Sequence, residues 1–303
     1  MKKLLSLLLA TVMMFSLFAC TTDTTDNQNE KLRIIATIFP QYDFARTLGG
    51  NLCDVSMLVS PGTETHSFEP TTSDILELSD CDIFIYTGGE SDSWIDSMLR
   101  NIQNPDMTVI SLMDCVEVEE EHQDHNHSHT DEHVWTSPVN AITISEKICN
   151  VMCEKDSENA EIYRRNFEDY KEKLTDLDET FREITESSIR NTLVFGDRFP
   201  LKHFATEYNL DCYAAFSGCS DDTEASAATV ATLIDKVKAE NIPLILKIEL
   251  SSDNIAATIQ KETGAEIRTF YSCHNISKDD FENGETYLSL MEKNTETLRA
   301  ALN

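Results

Sequence analysis

From Leu32 onward, short apolar runs alternate with amphipathic stretches. Leu32 to Phe39 reads as a buried strand, Pro40 opens a helix that ends at Gly49-Gly50, and Val55 to Val59 reads as a second strand. Thr72 to Leu78 has helical character, Asp82 to Tyr86 predicts a third strand and Met107 to Leu112 a fourth. Apolar strands separated by helices imply parallel βαβ units, with a sheet covered on both faces. Ser137 followed by Pro138 marks a helix start, a capping hydroxyl before a residue suited to the first turn. A long helix is predicted from Glu158 to Ser187. Its apolar positions Phe167, Tyr170, Leu174, Leu177, Phe181 and Ile184 recur at intervals of three and four, which makes one stripe along one side. At 1.5 Å per residue it would run roughly 45 Å. The alternation then restarts, with strands expected at Thr192 to Phe195, Leu210 to Ala215, Pro243 to Glu249 and Glu266 to Phe270. A helix from Asp253 to Thr263 is closed by Gly264 at C′, and a last helix spans Tyr287 to Leu302. The fold class is α/β: two parallel-sheet lobes joined by one long helix, with a cleft between them. The expected division is an N-terminal lobe over 31–140, a helical linker over 141–187 and a C-terminal lobe over 188–303.

The first thirty residues do not fit this rhythm. Met1-Lys2-Lys3 is a short basic head, Leu4 to Phe18 is an apolar run, and Leu17-Phe18-Ala19-Cys20 closes it. This pattern predicts a secretory signal over 1–19, too short for a membrane span. A small residue directly before a cysteine is similar to a bacterial lipobox, which makes Cys20 the lipidated N-terminus of the mature chain. A secreted chain without the lipid is the alternative. Residues 20–30 form a polar tether, and no later segment is long and apolar enough to cross a bilayer. The protein is then extracytoplasmic, a monomer held at the membrane through its lipid alone. The net charge is −30, and the signal adds only positive charge, so the mature chain is more acidic still. Nucleic acid and anionic lipid are poor partners for such a surface. Nine cysteines leave eight once Cys20 is assigned to lipid, and the sequence does not choose a pairing among them. Cys149 and Cys153 share a helical face and could pair on a metal, or simply be buried as small hydrophobes.

Histidine carries the candidate chemistry. Residues 117–132 are acidic, lack apolar periodicity and contain His122, His125, His127 and His129, which suits weak metal binding on a surface loop. The other four, His66, His133, His203 and His274, each fall beside a strand end or a helix start. Open parallel sheets bind ligands at the carboxyl ends of their strands, so these residues can converge on one cleft.

Two segments resemble a known family. Pro61-Gly62-Thr63-Glu64-Thr65-His66-Ser67-Phe68-Glu69-Pro70, with Thr87-Gly88-Gly89 after the third strand, is similar to the first metal-ligand segment of the zinc/manganese solute-binding lipoproteins of ABC importers. Asp131-Glu132-His133-Val134-Trp135-Thr136-Ser137-Pro138 resembles the second, and the His-rich insertion before it resembles that of zinc-specific members. The likeness covers residues 31–303. It implies that His66 and His133 ligate Zn2+, with Mn2+ as the alternative, and that the chain is no enzyme. It also implies an ABC permease and its ATPase as partners. The second lobe departs from the pattern: the usual third ligand falls on Arg198 and the usual late aspartate on Tyr271. Arginine has no lone pair to offer a cation. Glu249, at a strand end, is the favoured replacement, either as a ligand or as a partner of Arg198. His203, His274 and Asp197 are the fallbacks, and His203 also suits a packing role. A metal-sequestering or adhesin surface lipoprotein could use the same lobes. A zinc hydrolase would need His66, His133 and Glu249 as ligands with Glu64 or Asp197 as base, but no HExxH-type pair is present.

The histidine-rich loop generates its own test. Deleting residues 117–130 is expected to remove only weak, additional zinc equivalents, because nothing apolar fixes the loop's geometry. Calorimetric titration of the deletion variant should retain the tight equivalent; its loss would make the loop part of the binding core.

Overall fold

The residues that start as apolar runs become two sheets of the same design. A computed structural model describes residues 31–63, 68–89, 92–117, 131–216 and 225–303. The first sheet consists of β1 (Leu32–Ala36), β2 (Cys53–Met57), β3 (Ile83–Tyr86) and β4 (Thr108–Ser111), all parallel, in the order β2-β1-β3-β4. The second consists of β5 (Thr192–Phe195), β6 (Asp211–Ala214), β7 (Leu244–Lys247) and β8 (Glu266–Thr269), again parallel, in the order β6-β5-β7-β8. All eight expected strands are present, most trimmed at their ends. The run Leu32 to Phe39 shows why: its last apolar residue already belongs to α1 (Phe39–Gly49). Ile38 stays extended at φ −130°, and Gln41 Oε1 accepts its N–H at 2.8 Å, which closes the helix start.

Around the first sheet lie α1, α2 (Thr72–Ser79) and the short α3 (Ile95–Leu99). Next come α4 (Pro138–Lys155), started by Ser137 accepting from the Asn140 N–H, and α5 (Ala160–Ser187). The stripe predicted for α5 is buried at every one of its six positions. It packs against α4, against α1 and against the C-terminal helix. The second sheet is flanked by α6 (Lys202–Glu207), α7 (Ala227–Glu240), α8 (Asn254–Thr263, closed by Gly264 at φ 79°), α9 (Lys278–Glu282) and α10 (Tyr287–Leu302). None of the described helices is long and apolar enough to cross a membrane.

The last helix does more than finish the second lobe. Besides β5, α10 contacts α1 of the first lobe. Its first residue, Tyr287, is fully buried with its ring 4.9 Å from that of Phe44, edge to face. The Tyr287 N–H donates to Asp43 Oδ2 at 2.8 Å, while Asp43 Oδ1 pairs with Arg46 at 2.6 Å. Burial pushes the Asp43 carboxyl above its ordinary range, and the Arg46 guanidinium and the Tyr287 N–H oppose that rise.

Among the described residues the cysteines are free thiols. Cys149 and Cys153 do share a face of α4 and both are buried. Burial, and then the neighbouring Cys153, raises the Cys149 thiol to about 12. Both side chains pack in the core as small hydrophobes.

Asp43 gives the fold a direct test. Replacing it with alanine strands a buried backbone N–H at the head of α10 and a half-buried guanidinium. The expected cost is about 2–4 kcal/mol of unfolding free energy, measured as a lower urea midpoint with an unchanged m-value.

Candidate metal centre

A parallel sheet in this strand order has a crevice where the chain departs to opposite sides of its first strand. In the first sheet that crevice lies beyond β1 and β3. There Thr37 donates its hydroxyl to Gln41 Oε1 at 2.8 Å, and Gln41 donates through Nε2 to the Thr87 hydroxyl at 2.9 Å. All three side chains are buried, so this small polar network ties the two strand ends and α1 together. Thr37, Ile38, Val59, Phe68, Thr87 and His274 line a pocket at this point, together with Asp92 and Glu132. His274 belongs to the second sheet's end of the chain, so both lobes contribute to one cavity.

The segment before α4 supplies the second wall. Asp131 Oδ1 accepts the His133 backbone N–H at 2.8 Å and stands 2.8 Å from His133 Nδ1. Burial alone would push the Asp131 carboxyl up; the hydrogen bonds and charge of His133 outweigh it and hold the carboxyl below its ordinary range. A carboxylate on one ring nitrogen fixes the tautomer and presents Nε2 to a cation, as partners of metal-bound imidazoles do. His133 is 2 % exposed. Beside it, Glu132 packs over the backbone at Gly89, where a methyl group would collide with the carboxylate. That close approach explains the glycine of the Thr87-Gly88-Gly89 turn.

The second lobe meets this wall through a strap, residues 271–276. Trp135 donates through Nε1 to the Ser272 carbonyl at 3.0 Å, and Tyr287 donates its hydroxyl to the Trp135 carbonyl at 2.6 Å. The His133 and His274 rings stand 5.0 Å apart, nearly perpendicular, and Trp135 touches both. The strap also holds the first lobe's loop. Asn275 donates through Nδ2 to the Thr63 carbonyl at 2.7 Å, and Gly62 donates its N–H to the Ile276 carbonyl at 2.8 Å.

The sequence candidates therefore divide. His133 and His274 come together. His203, on α6, has Nε2 at 2.9 Å from the Asp131 carbonyl, so it pins the segment that carries His133. Glu249 lies just past β7, at the expected strand end, but its carboxylate is committed to the strap. Oε2 accepts the Ser272 N–H at 2.7 Å, and Oε1 accepts the Ser272 hydroxyl at 2.7 Å and the His274 N–H at 3.0 Å. Burial pushes the Glu249 carboxyl up, and these hydrogen bonds oppose the rise. Asp197 likewise accepts from the Arg198 and Ile248 N–H groups, at 2.7 and 2.9 Å, and from the Ser251 hydroxyl. It organises the loop after β7 and is not placed as a hydrolytic base. His66, Glu64 and the loop histidines His122, His125, His127 and His129 lie outside the described residues. Among the described residues no three His, Cys, Asp or Glu side chains are grouped to hold a metal ion. Asp131 was missed as a functional residue; the acidic position two before a ligand-type histidine was its only signal.

Two parallel-sheet lobes whose strand ends share a pocket lined in part by His274 define a two-lobed α/β binding protein. The family model for zinc-uptake complex component A, periplasmic (ZnuA), matches residues 34–301. The chain belongs to that family. It is 31% identical over 309 residues to the zinc-binding lipoprotein AdcA of Streptococcus pneumoniae, an alignment covering 99% of this chain and 61% of the relative, so the chain spans under two thirds of that protein. It is 28% identical over 292 residues to the high-affinity zinc uptake system protein ZnuA of Bacillus subtilis, covering 93% of this chain and 91% of the relative. The crystal structure of the Zn(II)-bound ZnuA-like domain of Streptococcus pneumoniae AdcA superposes with a TM-score of 0.77 at 29% identity, covering 90% of this chain and 99% of that one.

Asp92 at the pocket wall reports on this environment. Burial raises its carboxyl to about 6, with the Gly88 and Thr87 N–H groups opposing the rise and the charge of Glu132 adding to it. A carboxyl raised on folding, from about 3.9 in the unfolded chain, favours the fold fully below that value and loses its contribution as pH climbs through about 6. Asp92→Asn, which mimics the protonated form, should therefore lose less stability than the parent between pH 4 and 7.5 in metal-free urea titrations.

Proposed function

We propose that this chain is an extracytoplasmic receptor that captures Zn2+, with Mn2+ as the alternative cargo, and delivers it to an ABC importer made of a permease and its ATPase. The reading rests above all on one observation: the ring of His133, held by Asp131, stands 5.0 Å from the ring of His274, which lines the pocket shared by the two lobes. Family membership and the zinc named for the relatives support the same cargo. In this reading His66 and His133 are the first lobe's ligands. His66 is flanked by Thr63, tied to Asn275, and by Phe68, a pocket wall. The histidines of the 117–132 loop gather metal weakly. Residues 1–19 direct secretion, Cys20 carries the lipid, and 20–30 tether the lobes to the membrane. Lobe one extends over 31–140, the helical linker over 141–187 and lobe two over 188–303. The protein works as a monomer by capture and release, with no bond made or broken in its cargo.

Coordination requires neutral imidazole, so zinc affinity should fall as pH drops through about 6.5. His133→Ala and His66→Ala are each expected to weaken zinc by at least about tenfold. Asp131→Asn should weaken it by about 10- to 100-fold, the usual cost of losing the carboxylate behind a ligand histidine. Isothermal calorimetry at pH 7.4, with circular dichroism as the check on folding, makes the measurement. Unchanged affinity in both histidine variants overturns the proposal.

A further inference from the structure

The segment that carries His133 is propped by the second lobe at both ends. Val134 donates its N–H to the Glu132 carbonyl at 2.9 Å, and His133 lies between them at φ −81°, ψ 49°, close to an inverse γ-turn. Such a bond closes only three residues, so it does not by itself fix where the flanking residues lie. Downstream, the fully buried Trp135 donates through Nε1 to the Ser272 carbonyl at 3.0 Å. Upstream, the prop is His203. Its Nε2 stands 2.9 Å from the Asp131 carbonyl, and a carbonyl only accepts, so Nε2 carries the proton. The half-buried His203 is the second residue of α6, a helix of the second lobe that packs on the turn Val134–Thr136. Aromatic contacts fasten α6 from beneath. The buried Phe204 ring meets Phe181 of α5 edge to face at 4.9 Å, and Phe270, just past β8, at 5.3 Å. The donor is therefore carried on a fixed element.

Asp131 is gripped on one side and grips on the other. Its carbonyl is held from α6, while its carboxylate Oδ1 accepts the His133 N–H and stands 2.8 Å from Nδ1 of the same histidine. An aspartate side chain is short, so the place of its backbone decides what the carboxylate can reach. We infer that His203 is a positioning residue of the metal site: by holding the Asp131 carbonyl it fixes the carboxylate that aims His133. This rests on the zinc-receptor reading, in which His133 is a ligand. The donor belongs to the second lobe and the acceptor to the first, so the aim of His133 depends on how closely the lobes approach. A carboxylate behind a ligand histidine is worth about 10- to 100-fold in affinity. His203 acts one hydrogen bond further out, and the net worth of one such bond corresponds to about three- to tenfold.

The test uses the mature protein, with calorimetric zinc affinity, zinc-edge X-ray absorption and the melting midpoint as readouts. His203→Phe keeps a ring for packing but has no donor, whereas His203→Gln can set its amide N–H against the same carbonyl. The Phe variant should weaken zinc by about three- to tenfold and the Gln variant by less than about twofold. Neither should change the imidazole count of the scattering shell. His203→Leu repeats the donor-free case with a smaller side chain if the phenyl ring disturbs the fold. In an Asp131→Asn background His203→Phe should cost less than about twofold, because its route runs through that carboxylate. Unchanged affinity in the donor-free variants overturns the inference. Equal losses with Phe and Gln, or an undiminished loss in the Asp131→Asn background, overturn it as well, since packing alone predicts both. An imidazole missing from the shell of His203→Phe also overturns it, by making His203 a ligand. His133→Ala separates the two levels. If it leaves zinc untouched, the receptor reading fails; if it weakens zinc while His203→Phe does not, only this inference fails.

Discussion

Parallel strands cannot be joined by tight turns, and the architecture of the cleft follows from that constraint. Each connection must travel back along the sheet, so every strand begins at one edge of its lobe and ends at the other. Both sheets use the same order, in which the first strand of each lobe is flanked by the second and the third. The loops that leave β1 and β3 diverge, as do those that leave β5 and β7. A crevice opens at each divergence. Thr37 and Thr87 occupy the first, and Asp197 and Glu249 follow the strand ends at the second. The chain between the lobes then has one task at this end, to bring the two crevices into register. Trp135, Asn275 and Tyr287 do so by hydrogen bonds that cross from one lobe to the other.

Buried and part-buried carboxylates hold these parts, which is costly chemistry in an acidic chain. Asp43, Asp131, Asp197 and Glu249 each accept backbone N–H groups, so the negative charge is met by fixed dipoles at hydrogen-bond distance. Unpaired, any of them would carry a large desolvation penalty. Paired, each converts a loop into a rigid platform. Two of these platforms, at Asp131 and Glu249, support the histidines that face each other. Only Asp131 touches a histidine ring among these contacts; Glu249 reaches His274 through its backbone N–H.

Much of the fold was legible along the chain because it depends on local pattern. Apolar runs of strand length and the three-four stripe of α5 announce burial, and burial is what forms those elements. Ser137 and Gly264 mark helix ends through their own side chain or its absence. His133 stands out as a candidate from its segment, Asp131-Glu132-His133-Val134-Trp135. The roles of Glu249, His203 and Asp131 were not. Each is defined by a partner far away in sequence: Glu249 by Ser272 and His274, and His203 by the carbonyl of Asp131. Asp131 itself becomes a device for fixing a tautomer only once His133 turns its ring toward it. The C-terminal helix is a similar case. Its amphipathic pattern predicts a helix, but not that Tyr287 would seat against Phe44 and Asp43 of the opposite lobe. The sequence by itself determined which residues could bind a cation and which segments would be strands and helices. Only the tertiary structure decided which carboxylate would face a histidine ring and which would face backbone alone, because hydrogen-bond partners are set by packing between segments that have no periodic relation along the chain.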